Sequence, residues 1–153
     1  MTVYLVRHGS AGVRNGSDPN DTQRHLDDKG MRQAARIAEH LGAEPVVEIR
    51  SSPLPRCVET VEPLAEKLGI PVETDRRLAE GTPLEDAWRV IEEVGAATVV
   101  LCSHGDVIPE LVERERRRGM RIIEPSGFSK GSVWKLQGWD GSHHAKASWD
   151  KLR

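Results

Sequence analysis

Val3-Tyr4-Leu5-Val6-Arg7-His8-Gly9 opens with β-branched and aromatic residues and stops abruptly on an arginine, a histidine and a glycine. The first four residues read as a strand, and the charged triplet then falls at its C-terminal end. Thr98-Val99-Val100-Leu101-Cys102 repeats the pattern as the most strongly buried-looking strand, breaking into Ser103-His104-Gly105. Val46 to Ile49 reads as a further strand and is cut off by Ser51-Ser52-Pro53, with Arg56 just beyond. Between these strands the apolar spacing turns helical. Asp27 or Asp28 caps a helix whose Met31, Ala34, Ala35, Ile37, Ala38 and Leu41 are spaced for one buried face, and Gly42 closes it. Leu54 to Leu68 follows, with Val58, Val61, Leu64, Ala65 and Leu68 in register and Gly69 at the end. Pro63 inside that pattern predicts a kink or a break into two pieces. Strands alternating with helices argue for an α/β domain with a mainly parallel sheet.

The remaining segments fit the same plan. Ser10 to Asp27 is polar, rich in Gly, Asn and Asp, and reads as a long surface loop of the kind that usually carries function. Pro71 to Thr74 suits a short edge strand, and Pro83 starts a helix running through Val94. A helix from about Asp106 to Arg118 must hold Pro109 in its first turn. Ser132 to Gln137 and His143 to Trp149 alternate like a hairpin around Gly138-Trp139-Asp140-Gly141. No internal repeat and no linker is visible, so residues 1–153 read as a single domain.

Composition narrows the classes. With 22 Lys and Arg against 24 Asp and Glu, the formal charge is −2, which speaks against a dedicated nucleic-acid binder. A charged fraction of 30% beside 37% apolar residues fits a soluble folded domain. No apolar run is long enough to span a bilayer, so no membrane partner is expected. Met1 to Val6 runs straight into the first strand without a basic-then-apolar leader. Two cysteines, Cys57 and Cys102, make no disulfide framework, and a cytoplasmic location is the expectation.

The chemistry gathers at the strand ends. In an open α/β sheet the ligand crevice lies beyond the C-terminal ends of the strands, where distant clusters meet. Two imidazoles and at least two guanidiniums would meet there. Arginine forks bind phosphate oxygens in bidentate fashion, and a neutral imidazole can take a phosphoryl group covalently. Helix starts just after Pro53 and Gly105 would add backbone donors for the anion.

Leu5-Val6-Arg7-His8-Gly9 resembles the signature of the histidine phosphatase superfamily, which includes the phosphoglycerate mutases. Ser51-Ser52-Pro53-Leu54-Pro55-Arg56-Cys57-Val58-Glu59-Thr60 is similar to that family's second block, and Ser103-His104-Gly105 to its third. The blocks keep the family's order and spacing. The resemblance implies a phosphoglycerate mutase-like fold of three layers, a mainly parallel central sheet flanked by helices. It implies that His8 is the phosphorylated nucleophile, that Arg7, Arg56 and His104 form the phosphate pocket, and that Arg24 is an additional phosphate-binding arginine. His104 would also stabilise the transferring group. For the carboxylate that protonates the leaving group, Glu80 in Leu78-Ala79-Glu80-Gly81 is the nearest match and Asp106 the rival. No metal or other cofactor is implied, since the guanidiniums supply the positive charge.

The short format looks like the small phosphohistidine phosphatases of the SixA type, which favours hydrolysis over mutase chemistry because there is little room for a lid that excludes water. Val107-Ile108-Pro109-Glu110-Leu111 and Lys130-Gly131-Ser132-Val133-Trp134 also look like the histidine phosphatase domain fused to actinobacterial MutT-type hydrolases, which implies a nucleotide substrate. The expected partner is thus a phosphorylated substrate: a phosphohistidine protein first, otherwise a nucleotide or small phosphoester. A non-catalytic phosphate-binding module is the alternative from another class, and the oligomeric state is unknown.

Other polar residues have plainer readings. Arg114, Arg116, Arg117, Arg118 and Arg121 gather at a helix C-terminus and read as a solvated face diluted by Glu113 and Glu115. His143 and His144, adjacent on a strand, would point to opposite faces and share no metal. His25 could line the pocket mouth beside Arg24, and Lys130 could reach a substrate phosphate. Cys57 and Cys102 read as small core residues, and Trp134, Trp139 and Trp149 as packing for the C-terminal hairpin.

Overall fold

The computed structural model describes residues 1–153. Seven strands form one sheet: β1 (Thr2–Arg7), β2 (Glu48–Ser51), β3 (Val72–Thr74), β4 (Val99–Ser103), β5 (Arg121–Ile123), β6 (Val133–Gln137) and β7 (Lys146–Asp150). Their spatial order is β3-β2-β4-β1-β6-β7-β5. β3, β2, β4 and β1 run parallel, β6 lies antiparallel to β1 and β7, and β5 pairs parallel with β7. The sheet is therefore mixed but mainly parallel. Four helices flank it: α1 (Asp28–Leu41), α2 (Pro55–Leu68), α3 (Leu84–Val94) and α4 (Val107–Arg117).

The period of two along the central strands builds the layers. Val3 and Leu5 of β1, with Val99 and Leu101 of β4, face a core shared with Trp88, Ile91, Ile108 and Leu111 of α3 and α4. Tyr4 and Val6, with Val100 and Cys102, face the opposite core against Ile37 and Leu41 of α1 and Val61 and Leu64 of α2. Burying each such large side chain stabilises the fold by ~1.5–3 kcal/mol. The expected three-layer α/β arrangement is the one observed.

Several local expectations shift. The second strand begins at Glu48 rather than Val46, and Val47 is exposed. The α1 face is narrower than its apolar spacing suggested. Asp27 accepts from Gly30 N and caps the helix, so Gly30, Ala34, Ile37, Ala38 and Leu41 turn inward. Met31 and Ala35, one position further round, are exposed. Pro63 does not divide α2, which runs as one 14-residue helix to Gly69 in the left-handed conformation. Proline removes a single helical hydrogen bond there, while buried Val61, Leu64 and Ala65 hold both sides of it against the core. β5 had no signal in the sequence: it is three residues long and exists by pairing with β7. His143 and His144 precede β7 and lie in the loop after β6, not on a strand.

Candidate active site

β1, β2 and β4 are parallel neighbours, so Arg7-His8, Ser51-Ser52 and Ser103-His104 end side by side on one edge of the sheet. Backbone bonds continue the pairing past the strands: His8 N donates to Ser103 O at 3.1 Å and Ser52 N to Cys102 O at 3.0 Å. The His8 and His104 rings stand with centroids 5.3 Å apart, edge to face. A cavity of about 340 Å³ opens above them, lined by Arg7, His8, Arg56, His104, Gly105 and Asp106, with Arg14, Arg24, Glu80 and Lys130 at its walls. No apolar side chain lines it.

His8 is held in one tautomer. Its Nδ1 lies 2.7 Å from Gly9 O, and because a carbonyl only accepts, Nδ1 carries the proton and Nε2 keeps its lone pair. Burial, with smaller contributions from the neighbouring His104, Arg56 and Arg7 charges, lowers its pKa to about 3 despite the Gly9 bond. The imidazole is neutral at ordinary pH and nucleophilic.

The guanidiniums are poised and incompletely satisfied. Arg56, at the start of α2, is 1% exposed, and its Nη2 donates to Glu80 Oε2 at 3.0 Å. Its Nε and Nη1 have no protein acceptor. Arg7 Nη1 donates to Phe128 O at 2.7 Å, while its Nε is likewise without an acceptor. Buried donors left unpaired cost ~1–3 kcal/mol each, and a phosphate would supply their missing acceptors. Gly105 lets Arg7 lie close, since a Cβ there would stand 2.7 Å from its Cζ. Arg24, tied to Asp21 at 3.0 Å and to Ala11 O at 2.8 Å, reaches the same cavity from the Ser10–Asp27 loop.

Residues without an assigned role complete the support. Ser52 Oγ is 2.8 Å from His104 Nε2, and Cys57 Sγ is 3.4 Å from the same nitrogen. Cys57 is thus a core residue that also backs the second imidazole. Thr60 Oγ1 accepts from Gly9 N at 2.9 Å and donates to Arg56 O at 2.6 Å, locking the β1 loop to α2. Ser52, Cys57 and Thr60 all lie in the quoted second block, and their contacts depend on the approach of separate elements. Arg14 reaches within 3.5 Å of Glu80 and had no motif to mark it. Of the two acid candidates, Glu80 is held by Arg56, whereas Asp106 Oδ2 accepts from Gly81 N at 2.8 Å. Lys130 does line the cavity.

Elsewhere three readings change. His25 does not line the cavity; it pairs with Glu59 at 2.7 Å because α2 brings that carboxylate alongside. The arginine run is exposed at Arg116, Arg117, Arg118 and Arg121 as read, but several of its charges are engaged and Glu115, instead of diluting them at the surface, is buried. Arg114 pairs with Glu85, Arg116 and Arg117 pair with Glu113, and Arg114 and Arg118 lie over the Trp88 ring. Trp139 leaves the hairpin to pack on Trp88 and Gly95, while Trp134 and Trp149 face each other across β6 and β7. No group of three or more His, Cys, Asp or Glu side chains is placed to hold a metal ion. No helix is long and apolar enough to cross a membrane.

A neutral imidazole facing guanidinium donors at the parallel strand ends of an α/β sheet is an arrangement with the chemistry to receive a phosphoryl group. Comparison with known sequences gives the family: the chain belongs to the histidine phosphatase superfamily (branch 1), whose profile matches residues 3–83. Over 145 residues it is 34% identical to an 8-oxo-(d)GTP phosphatase of Mycolicibacterium smegmatis, an alignment covering 92% of this chain and 45% of that protein. The chain spans less than half the length of curated relatives it matches. In fold it is similar to the protein histidine phosphatase SixA complexed with tungstate, at a TM-score of 0.76 and 21% identity over 98% of this chain and 94% of that one. A mycobacterial glucosyl-3-phosphoglycerate phosphatase follows at 0.71 and 22%, over 97% and 96% of the two chains.

Proposed function

We propose that residues 1–153 form a single histidine phosphatase domain that hydrolyses phosphate through a covalent intermediate on His8. The observation that carries this reading is the free His8 Nε2 set among the unpaired donors of Arg7 and Arg56. Nε2 attacks phosphorus in line, the bond from phosphorus to the leaving group breaks, and the departing electron pair takes a proton from Glu80, Asp106 or water. Arg7, Arg56, His104 and Arg24 hold the equatorial oxygens and stabilise their charge. Water then attacks phosphorus, the N–P bond breaks, and Nε2 recovers its lone pair while phosphate leaves.

Two substrate classes have support. A phosphohistidine protein has a nitrogen leaving group that needs little acid help, which suits Glu80 engaged by Arg56, and the fold is similar to SixA. A nucleotide or other small phosphorylated molecule is favoured by the likeness to the 8-oxo-(d)GTP phosphatase and by a concave polar cavity of small-molecule size. We take the second as the stronger, because the sequence relationship runs over nearly the whole chain. The test is phosphate release in EDTA by wild type and His8→Ala, using p-nitrophenyl phosphate, a phosphohistidine protein, and nucleoside di- and triphosphates. Release by wild type with a loss of at least about 1000-fold in the variant is expected. Equal release by both would sink the role of His8, and anion binding without turnover would favour a binding module.

A further inference from the structure

We propose that a second, basic cavity beside the active site is an anion subsite that takes the distal phosphate of a small polyphosphorylated substrate. The inference rests on the small-molecule reading above and names the feature such a substrate needs. The cavity has a volume of about 500 Å³ and a single apolar lining residue, Leu152. Five cations line it, Lys29, Arg36, Lys130, Lys151 and Arg153, and no Asp or Glu side chain does. This concentration stands in a chain of formal charge −2.

None of the five cations is ion-paired, so no neighbouring carboxylate offsets their gathered charge. The nearby Asp27 carboxylate is occupied by Ser10 Oγ and by Gly12 N and Gly30 N. A concave field of one sign, left uncompensated, attracts anions.

Two features join this cavity to the catalytic one. Lys130 lines both. Gln33 forms the brace between them: its Oε1 accepts from Ser10 N at 2.8 Å and its Nε2 donates to Lys130 O at 3.0 Å. Ser10 follows His8 by two residues, so the brace fixes the basic wall relative to the nucleophile. Gly131 lets the Lys130 turn approach it, since a Cβ there would stand 2.9 Å from the Gln33 side chain. The lining offers no aromatic face for a base, and five of its nine residues are cations, which selects the phosphate end of a ligand. Its concave, small-molecule dimensions favour a short polyanion over the flat surface of a partner protein.

The experiment uses Lys29→Ala/Arg36→Ala, both exposed positions away from His8, with thermal melting to confirm that the fold is kept. Tripolyphosphate and orthophosphate are titrated calorimetrically into wild type and variant, and p-nitrophenyl phosphate turnover is followed in parallel. Tripolyphosphate affinity is expected to fall by about tenfold, the size of two lost exposed charge contacts, with orthophosphate affinity changed less than about twofold. The tenfold difference should shrink as salt is raised. Unchanged tripolyphosphate affinity, or an equal loss for both anions, overturns the subsite. So does unchanged binding of both anions in a variant that loses turnover of a phosphohistidine protein, assayed alongside, which would make the cavity a docking face. A wild type that fails to hydrolyse p-nitrophenyl phosphate would count against the phosphatase reading, while the calorimetric comparison would still decide the subsite.

Discussion

His8 is held where its charged form is disfavoured, and that has consequences for both rate and stability. With a folded pKa of about 3 against an ordinary 6.5, the unfolded chain binds more protons at this residue between those values. The sign is therefore fixed: the folded state loses stability as pH falls from about 6.5 toward 3. His8→Asn removes the titration, so its melting temperature should fall less steeply than that of wild type across this window. The same shift predicts that protonation of His8 leaves the pH profile of kcat/KM flat between about pH 7 and 5. An acidic limb near pH 6.5 in the wild-type kcat/KM profile, or melting curves of wild type and His8→Asn that run parallel from pH 6.5 to 3, would contradict that geometry. Ser52 acts one step away, orienting His104 through Nε2. Ser52→Ala should lower kcat by about tenfold, the size of one lost hydrogen bond, with a much smaller change in KM. Nothing in the local sequence distinguishes this serine from Ser51, whose hydroxyl instead turns back to Ser52 O.

At the scale of elements, the active site depends on how closely α1 and α2 approach the loop after β1. Gly30 sits in the first turn of α1, and a Cβ there would stand 2.0 Å from Ser10 O. Gly30→Ala must push the helix and the loop apart, at a cost of ~1–3 kcal/mol or more, the usual penalty of overpacking. A drop in melting temperature of about 2–12 °C is expected for a domain this size, together with lost activity, because the same loop carries His8. Full activity at an unchanged melting temperature would show that the contact is not needed. Asp27 caps the helix and also holds Ser10 and Gly12, so one carboxylate fixes both the helix start and the loop exit. Those hydrogen bonds, led by Ser10, lower its pKa to about 2. Its contribution is present above about pH 4 and lost as pH falls through 2. Pro63 carries the reverse lesson, since a local helix breaker is overridden where the residues on both sides are locked into the core.

Across the whole molecule, the strand side of the fold is tied to α4 by one buried polar contact. Glu115 and His144 are both fully buried, with Glu115 accepting from His144 N at 2.7 Å and its other oxygen bonded to His144 Nδ1. Glu115→Ala would strand the imidazole and a backbone amide in the core, at a cost of ~3–5 kcal/mol. Its melting temperature should fall by about 6–20 °C, with little change in the KM of folded enzyme, since the contact lies away from the cavity. A melting temperature within about 1 °C of wild type would refute this role. The pair joins residues 29 positions apart, and neither could be assigned a partner from sequence spacing. By itself, the sequence determined the alternation of strands and helices, the strand-end positions of Arg7, His8 and His104, and that of Arg56 at the following helix start. These follow from local causes: the period of two against 3.6, the turn residues, and charged triplets that cannot continue a buried strand. Only the tertiary structure decided the His8 tautomer, the supports from Ser52, Cys57 and Thr60, the brace at Gln33, the β5–β7 pairing and the inward face of α1. Each of these depends on two or more elements distant in sequence meeting at hydrogen-bond or van der Waals distance, and no local pattern encodes which partner a side chain will find.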